Sequence, residues 1–446
     1  MLGGYRIEGQ GAAEIAASVE QGIGAGLLRP GQALPPLREL AAELAVNPNT
    51  VAAAYRILRE RGVIETAGRR GSRVRARPAS APRDLLGVEV PQGARDLSQG
   101  NPDPALLPPL GPALAAAAAR AARRPTLYGC PPVSPRLAEA ARAGLDRDGV
   151  PAGPVAVSSG SLDCVERVLT AWLRPGDAVA VEDPGWGSLL DLLPALGLRT
   201  VPVAVDDEGP LPEPAEEALH RGARALIVTA RAQNPTGAAV SAARAARLRA
   251  VLAAHPDTLL IEDDHGHGIV DPAEVPLHPL AGHTGRWALV RSAAKAYGPD
   301  LRLAVWTGDR VTVDRALGRQ RLGPGWVSHL LQEAVAELWR SRAVDTPAVA
   351  GSYGARRNAL LAALAARGIP AHGRSGMNVW VPVPDETAAV ARLLQAGWGA
   401  APGARFRLSA PPGVRLTVSP LTAGDIPPLA EAAAAAARPG PARRYV

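Results

Sequence analysis

The sequence predicts an α/β chain in two unequal parts: a small helical unit with a basic hairpin, then a large domain with a mainly parallel sheet and a smaller α+β lobe. Three observations lead there. The first 75 residues hold three helix-spaced apolar patterns and a glycine-tipped hairpin. From residue 96, apolar strand runs alternate with apolar helices. From about residue 350 the runs change to "NVWVPVP", "ARFRL" and "VRLTVSP".

The chain has 446 residues and a net charge of +7, which permits an anionic partner. Aromatics make up 3%, so an aromatic beside a motif carries weight. Cys130 and Cys164 stand far apart in sequence and form no metal-type cluster, and no disulfide is expected. No signal pattern opens the sequence and no run has the length of a membrane span, so a cytoplasmic location is expected and a membrane partner is not.

Residues 11–28 place Ile15, Val19, Ile23 and Leu27 at helical spacing. Residues 36–44 predict a second helix with Leu37, Leu40, Ala41 and Leu44 on one face. In "AVNPN", Asn47 fits an N-cap and Pro48 the first helical position. A third helix, about 48–61, carries Val51, Ala54, Tyr55 and Leu58 and stops at Gly62. "GVIETAGRRGSRVRAR" alternates around a Gly-Arg-Arg-Gly tip and predicts a hairpin. Three helices and a basic hairpin make a winged helix-turn-helix over residues 1–75.

Residues 1–77 hold 11 Arg against 7 Glu, which suits operator DNA. Arg38, opening the second helix, is a candidate phosphate contact. Asn47, Asn49 and Thr50 open the recognition helix and are candidate base readers. Arg69, Arg70 and Arg73 of the wing would follow phosphates or enter the minor groove. Residues 76–95 mix Pro, Ala and Gly without periodicity and read as a linker ahead of the domain at 96–446.

In that domain "PVAVSSG", "AVAVEDP", "RALIVTA", "TLLIEDDH" and "WALVRSAA" read as strands, and each leads into a polar or Gly-rich turn. Catalytic groups gather at the carboxyl ends of such strands. The last strand leads to Lys295, the only lysine among 49 basic residues. An aldehyde condenses with a primary amine, which guanidinium cannot replace. Around it stand Gly160 and Ser161 at a helix start, which suit a phosphate, and Trp186 between glycines, which suits a flat ring. Asp263 supplies a carboxylate for a ring nitrogen. This set describes a pyridoxal 5'-phosphate (PLP) site. "DDHGHG" also has metal-type ligands in His265 and His267, but the rest of the set fits PLP.

The order "SSGSLDCV … EDPGW … NPTG … EDD … SAAK … LR … VRL" resembles fold-type I aspartate-aminotransferase-like proteins over 96–446. The resemblance implies Lys295 as the Schiff-base lysine, Asp263 on the pyridine nitrogen, Trp186 on the ring, and Asn234 on the 3-hydroxyl side. It implies Gly160, Ser161, Ser292 and Arg302 around the phosphate, and Arg415 on a substrate carboxylate. His265 stands where such proteins carry a tyrosine near the 3-hydroxyl.

Residues 11–74, with "GLLRPGQALPPLRELA", "NPNTV" and "AYRILRERGVIE", resemble a GntR-type winged helix. The two halves together resemble the MocR subfamily of GntR regulators. That implies a PLP-dependent transcriptional regulator, a head-to-tail homodimer, sensing an amino compound or PLP through an aldimine on Lys295. Carboxylate-bearing effectors of the γ-aminobutyrate, alanine or taurine type fit Arg415. A working aminotransferase with an accessory DNA-binding domain is the alternative reading.

Overall fold

The structure is a computed structural model, which describes residues 5–24, 27–29, 31–60, 63–66, 71–74, 83, 86 and 89–438. By contact the chain divides into two compact units. One is Met1–Pro82 with Leu173–Ala178 and Asp191–Thr200; the other is the remainder.

The head contains α1 (Ala12–Gly24), α2 (Leu37–Leu44), α3 (Pro48–Glu60), β1 (Ile64–Thr66) and β2 (Ser72–Val74). Ile15, Val19, Leu40, Val51, Tyr55 and Leu58 form its core with Ile64 and Val74 of the hairpin. Tyr55 is buried among them, and its hydroxyl donates to the Pro35 carbonyl at 2.8 Å, so its polar tip is satisfied. The strands pair antiparallel with Ile64 opposite Val74. Residues 31–34 join this hairpin: Leu34 N donates to Ser72 O, and Val74 N to Gln32 O.

Two sequence expectations need correction here. The first helix ends by Gly24, not at 28, because glycines at 22, 24 and 26 weaken it; Leu27 is exposed and Leu28 enters the core instead. Leu37 is exposed at the start of α2, so Leu40, Ala41 and Leu44 alone carry its buried face.

After the head come β3 (Arg95–Asp96), α4 (Gly111–Arg123), α5 (Pro135–Arg147), β4 (Val155–Ser158), α6 (Ser161–Trp172), β5 (Ala178–Asp183) and α7 (Gly187–Ala195). Next are β6 (Arg199–Asp206), β7 (Gly209–Pro210), α8 (Pro212–His220), β8 (Ala223–Thr229), α9 (Ala242–Ala254), β9 (Leu259–Asp263), β10 (Arg286–Ser292) and α10 (Ala294–Tyr297). The chain continues through β11 (Ala304–Gly308), α11 (Arg310–Arg321), α12 (His329–Arg340), α13 (Thr346–Ala365), β12 (Asn378–Pro382) and α14 (Glu386–Gln395). The last elements are β13 (Trp398–Gly399), β14 (Ala401–Pro402), β15 (Gly413–Thr417) and α15 (Ile426–Ala437). Of the residues read as a linker, 83, 86 and 89–95 are described, and Arg95 already belongs to β3.

Among the described residues the main sheet has the order β4-β11-β10-β9-β8-β5-β6-β7. β8, β9 and β10 run parallel, β11 is antiparallel to β10 and β4, and β7 to β6. The central strands read as continuous apolar runs because helices cover both faces; all five residues of β9 and all six of β5 are buried. A separate antiparallel sheet, β12-β15-β14, carries Arg415 in its middle strand, opposite Trp380.

Candidate functional site

β9 is apolar until its last residues, so it delivers Asp263 buried at its carboxyl end. Ser161 Oγ donates to Asp263 Oδ1 at 3.3 Å. Burial, then the neighbouring Asp264 charge, pushes the Asp263 carboxyl up to about 7. Asp264 points elsewhere, into a bidentate pair with Arg231 (Nε 3.0 Å, Nη2 2.9 Å) and a contact from Arg291 Nε at 2.9 Å. These cations hold Asp264 well below the usual carboxylate range against the cost of its burial.

β4 ends at Ser158, and the turn into α6 places Gly160 at φ +99°. Arg302 lies beside it: a Cβ at Gly160 would stand 3.1 Å from Arg302 Nη2, which itself donates to the Ser159 carbonyl at 3.2 Å. The exposed guanidinium and the α6 N-terminus with Ser161 therefore face one spot. At the end of β10, Ser292 Oγ accepts from Ala294 N at 3.1 Å, at the start of the short helix that carries Lys295.

Lys295 Nζ donates to the Gly100 carbonyl at 2.8 Å. Burial, then the Arg415 charge, lowers its amine to about 8. It lines a cavity of about 160 Å³ with Trp186, Asn234, His265, Phe406 and Arg415. Arg415 Nη1 donates to Asn234 Oδ1 at 2.9 Å, Nη2 donates to the Ser98 carbonyl, and its guanidinium lies 4.7 Å from the Phe406 ring centre. Burial and the two nearby cations lower His265 to about 3, so its ring is neutral. Trp186 also lines a smaller cavity walled by Glu182, Thr229 and Asp263.

These groups fit PLP: a buried amine, a buried carboxylate able to hold a proton near neutrality, a flat indole, and a glycine-cleared helix start with an arginine. Sequence reasoning picked all of them except the supports. Glu182, which accepts from Thr229 N and Oγ1 and from Gln233 Nε2, was missed. So were the Gly100 carbonyl and Phe406, which reach the site from distant segments without a local signal. Among the described residues no group of three His, Cys, Asp or Glu could hold a metal.

In the head, Asn47 Oδ1 accepts from Asn49 N at 2.8 Å, so Asn47 caps α3. Asn47 and Asn49 are exposed and Thr50 half-buried, on the first turn of α3, while Arg38 is exposed on α2. Arg73 lies half-buried in β2; Arg69 and Arg70 lie outside the described residues.

Residues 95–432 match the family "Aminotransferase class I and II", and residues 12–74 match "Bacterial regulatory proteins, gntR family". The vitamin B6 salvage pathway transcriptional repressor PtsJ of Salmonella typhimurium is 43% identical over 95% of this chain and 98% of its own length. The pyridoxine biosynthesis transcriptional regulator PdxR of Corynebacterium glutamicum is 30% identical over 56% of this chain and 55% of its own. Among solved structures, a Thermus thermophilus aspartate aminotransferase mutant superposes with a TM-score of 0.67 at 26% identity, covering 79% of this chain and 98% of that one.

Proposed function

The chain belongs to the aminotransferase class I and II family through its large domain and carries a gntR-family DNA-binding head, making it a MocR-type transcriptional regulator, and from that premise we propose that it controls genes of vitamin B6 supply with PLP as its signal. The observation that carries this is the buried Lys295 amine, lowered to about 8 and sharing one cavity with Trp186, Asn234 and His265. Relatives named for vitamin B6 salvage and pyridoxine biosynthesis support the choice of signal.

When bound, PLP supplies an aldehyde that takes an amine and a ring nitrogen that draws electrons. The chain's residues do the rest. Lys295 offers the amine, Asp263 holds a proton between its carboxylate and the ring nitrogen, and Trp186 covers the ring face. Gly160, Ser161, Ser292 and Arg302 hold the phosphate; Asn234 and the neutral His265 flank the 3-hydroxyl side. Arg38 and the wing arginines grip DNA phosphates, and Asn49 and Thr50 read the bases from the helix that Asn47 caps. The protein works as a head-to-tail homodimer in the cytoplasm, its two heads reading paired half-sites. Among the described residues no helix is long and apolar enough to cross a membrane.

The test is DNA binding to the region upstream of the chain's own gene and of neighbouring vitamin B6 genes, with and without PLP. The expected result is a PLP-dependent change in affinity that Lys295→Ala abolishes. Equal affinity with and without PLP overturns the reading.

A second reading, a working aminotransferase, rests on Arg415 lining the same cavity as Lys295. Sustained turnover of an amino acid with a 2-oxo acid, at about 1 per second or faster, would favour it.

A further inference from the structure

Away from the Lys295 cavity, a groove of about 1000 Å³ opens between α5, the end of α12 and the start of α13. Its walls include Arg147, Arg291, Arg342, His267, Tyr297 and Trp339. We propose that this groove is a second ligand site, for a small ring-bearing anion such as an aromatic phosphate ester, linked to Asp263 through Arg291 and Asp264.

The charge comes from converging guanidinium groups. A Cβ at Gly144 would stand 3.6 Å from Arg291 Nη1 and 3.8 Å from Arg147 Nη2, so the missing side chain leaves both heads facing one space. Arg291 is held by Asp148 and Asp264 through Nη2 and Nε, so its Nη1 and the Arg147 guanidinium are the donors turned toward this space, where an anion would accept from both. Among the described residues the Arg147 and Arg342 side chains form no ion pair, whereas Arg136 and Arg340 of the same groove are committed to Glu337. Glu139 and Asp345 also line the groove, so the anion belongs at the Arg147–Arg291 end.

The ring comes from the aromatic wall. His267 stands edge-on to Trp339 with centres 5.6 Å apart, and Tyr297 lies 6.5 Å from the same indole. Aromatic residues are scarce in this chain, and three of its flat side chains meet here beside cations, a surface suited to a flat anion.

The link is short. Arg291 Nη2 contacts Asp148, and Arg291 Nε donates to Asp264 at 2.9 Å. Asp264 adjoins Asp263 in sequence and raises its carboxyl through its charge. An anion that draws Arg291 outward thus changes the field at Asp263.

Calorimetry on full-length protein, loaded with PLP and reduced with borohydride so that Lys295 is capped, tests the site. A mass spectrum shows first whether the cofactor is attached, which separates failure of the PLP reading from failure of this one. The probes are pyridoxine 5'-phosphate, AMP and inorganic phosphate. The expected result is one saturable site per chain for the two ringed esters, at least about tenfold weaker in R147E and for phosphate alone, and unchanged in the distant surface variant R221E. No saturable binding, binding untouched by R147E, or equal binding of bare phosphate overturns the site. In unreduced, cofactor-loaded protein the visible absorption should shift on saturation; an unchanged spectrum overturns the link through Arg291.

Discussion

The carbonyl of Gly100 accepts from Lys295 Nζ at 2.8 Å, and the same glycine makes room for Arg415. A Cβ at Gly100 would stand 3.2 Å from both terminal nitrogens of Arg415, and the backbone there has φ +65°. One residue therefore touches both the Lys295 amine and the Arg415 guanidinium, the proposed partner of a substrate carboxylate. Gly100→Ala is expected to strain the backbone by about 1–2 kcal/mol and to displace the guanidinium. Binding of carboxylate-bearing amino compounds should weaken by roughly tenfold, while PLP attachment, followed by its absorbance, survives.

The lowered Lys295 amine sets a pH dependence. With its proton lost near pH 8 rather than in the usual lysine range, the free-amine fraction rises about tenfold between pH 7 and pH 9. The rate of PLP attachment, measured by stopped-flow absorbance, is expected to rise by about that factor and then level off. Lys295→Arg keeps the charge but loses the nucleophile, so its visible absorbance and borohydride-fixed adduct should both vanish.

Several groups around these cavities were legible because they end a strand or open a helix: Asp263 ends β9, Ser161 opens α6 and Lys295 lies in the short helix after β10. Apolar runs announce the strands, and Lys295 stands out as a lone lysine. The supports were not legible. Gly100, Phe406 and Glu182 reach the cavities by tertiary packing, and no local pattern marks a carbonyl that will meet an amine. The same limit explains Leu27 and Leu37: periodicity cannot tell where a glycine-rich end stops being helical or which apolar residue at a helix start faces water.

Asp263 trades stability for the cofactor. Its carboxyl is raised from its ordinary value to about 7 by burial, so without PLP the protein carries more stability below pH 4 from this group and loses it as pH rises to 7. Asp263→Asn keeps an acceptor for Ser161 and removes the buried charge. In cofactor-free protein it is expected to raise stability at pH 8 by about 4 kcal/mol and to change little at pH 4. The same variant should bind PLP more weakly, because the ring nitrogen loses its carboxylate. Thermal melts at both pH values, with and without PLP, check both halves.

In the head, two neighbouring asparagines separate folding from reading. Asn47 Oδ1 is spent on the Asn49 N–H at 2.8 Å, so Asn47→Ala removes a cap and is expected to cost about 1 kcal/mol of head stability, while Asn47→Ser or Asn47→Asp restores most of it. The Asn49 side chain is exposed and is the proposed base reader; Asn49→Ala should leave the melt unchanged yet relax base preference by about 1–3 kcal/mol at one position of each half-site. Arg38→Ala should weaken binding to all sequences alike and lower the dependence of log affinity on log salt by about 1, the signature of one lost phosphate contact. Competition binding at two salt concentrations with operator and scrambled DNA distinguishes the three. If Asn49→Ala weakens both DNAs equally, base reading belongs elsewhere on α3.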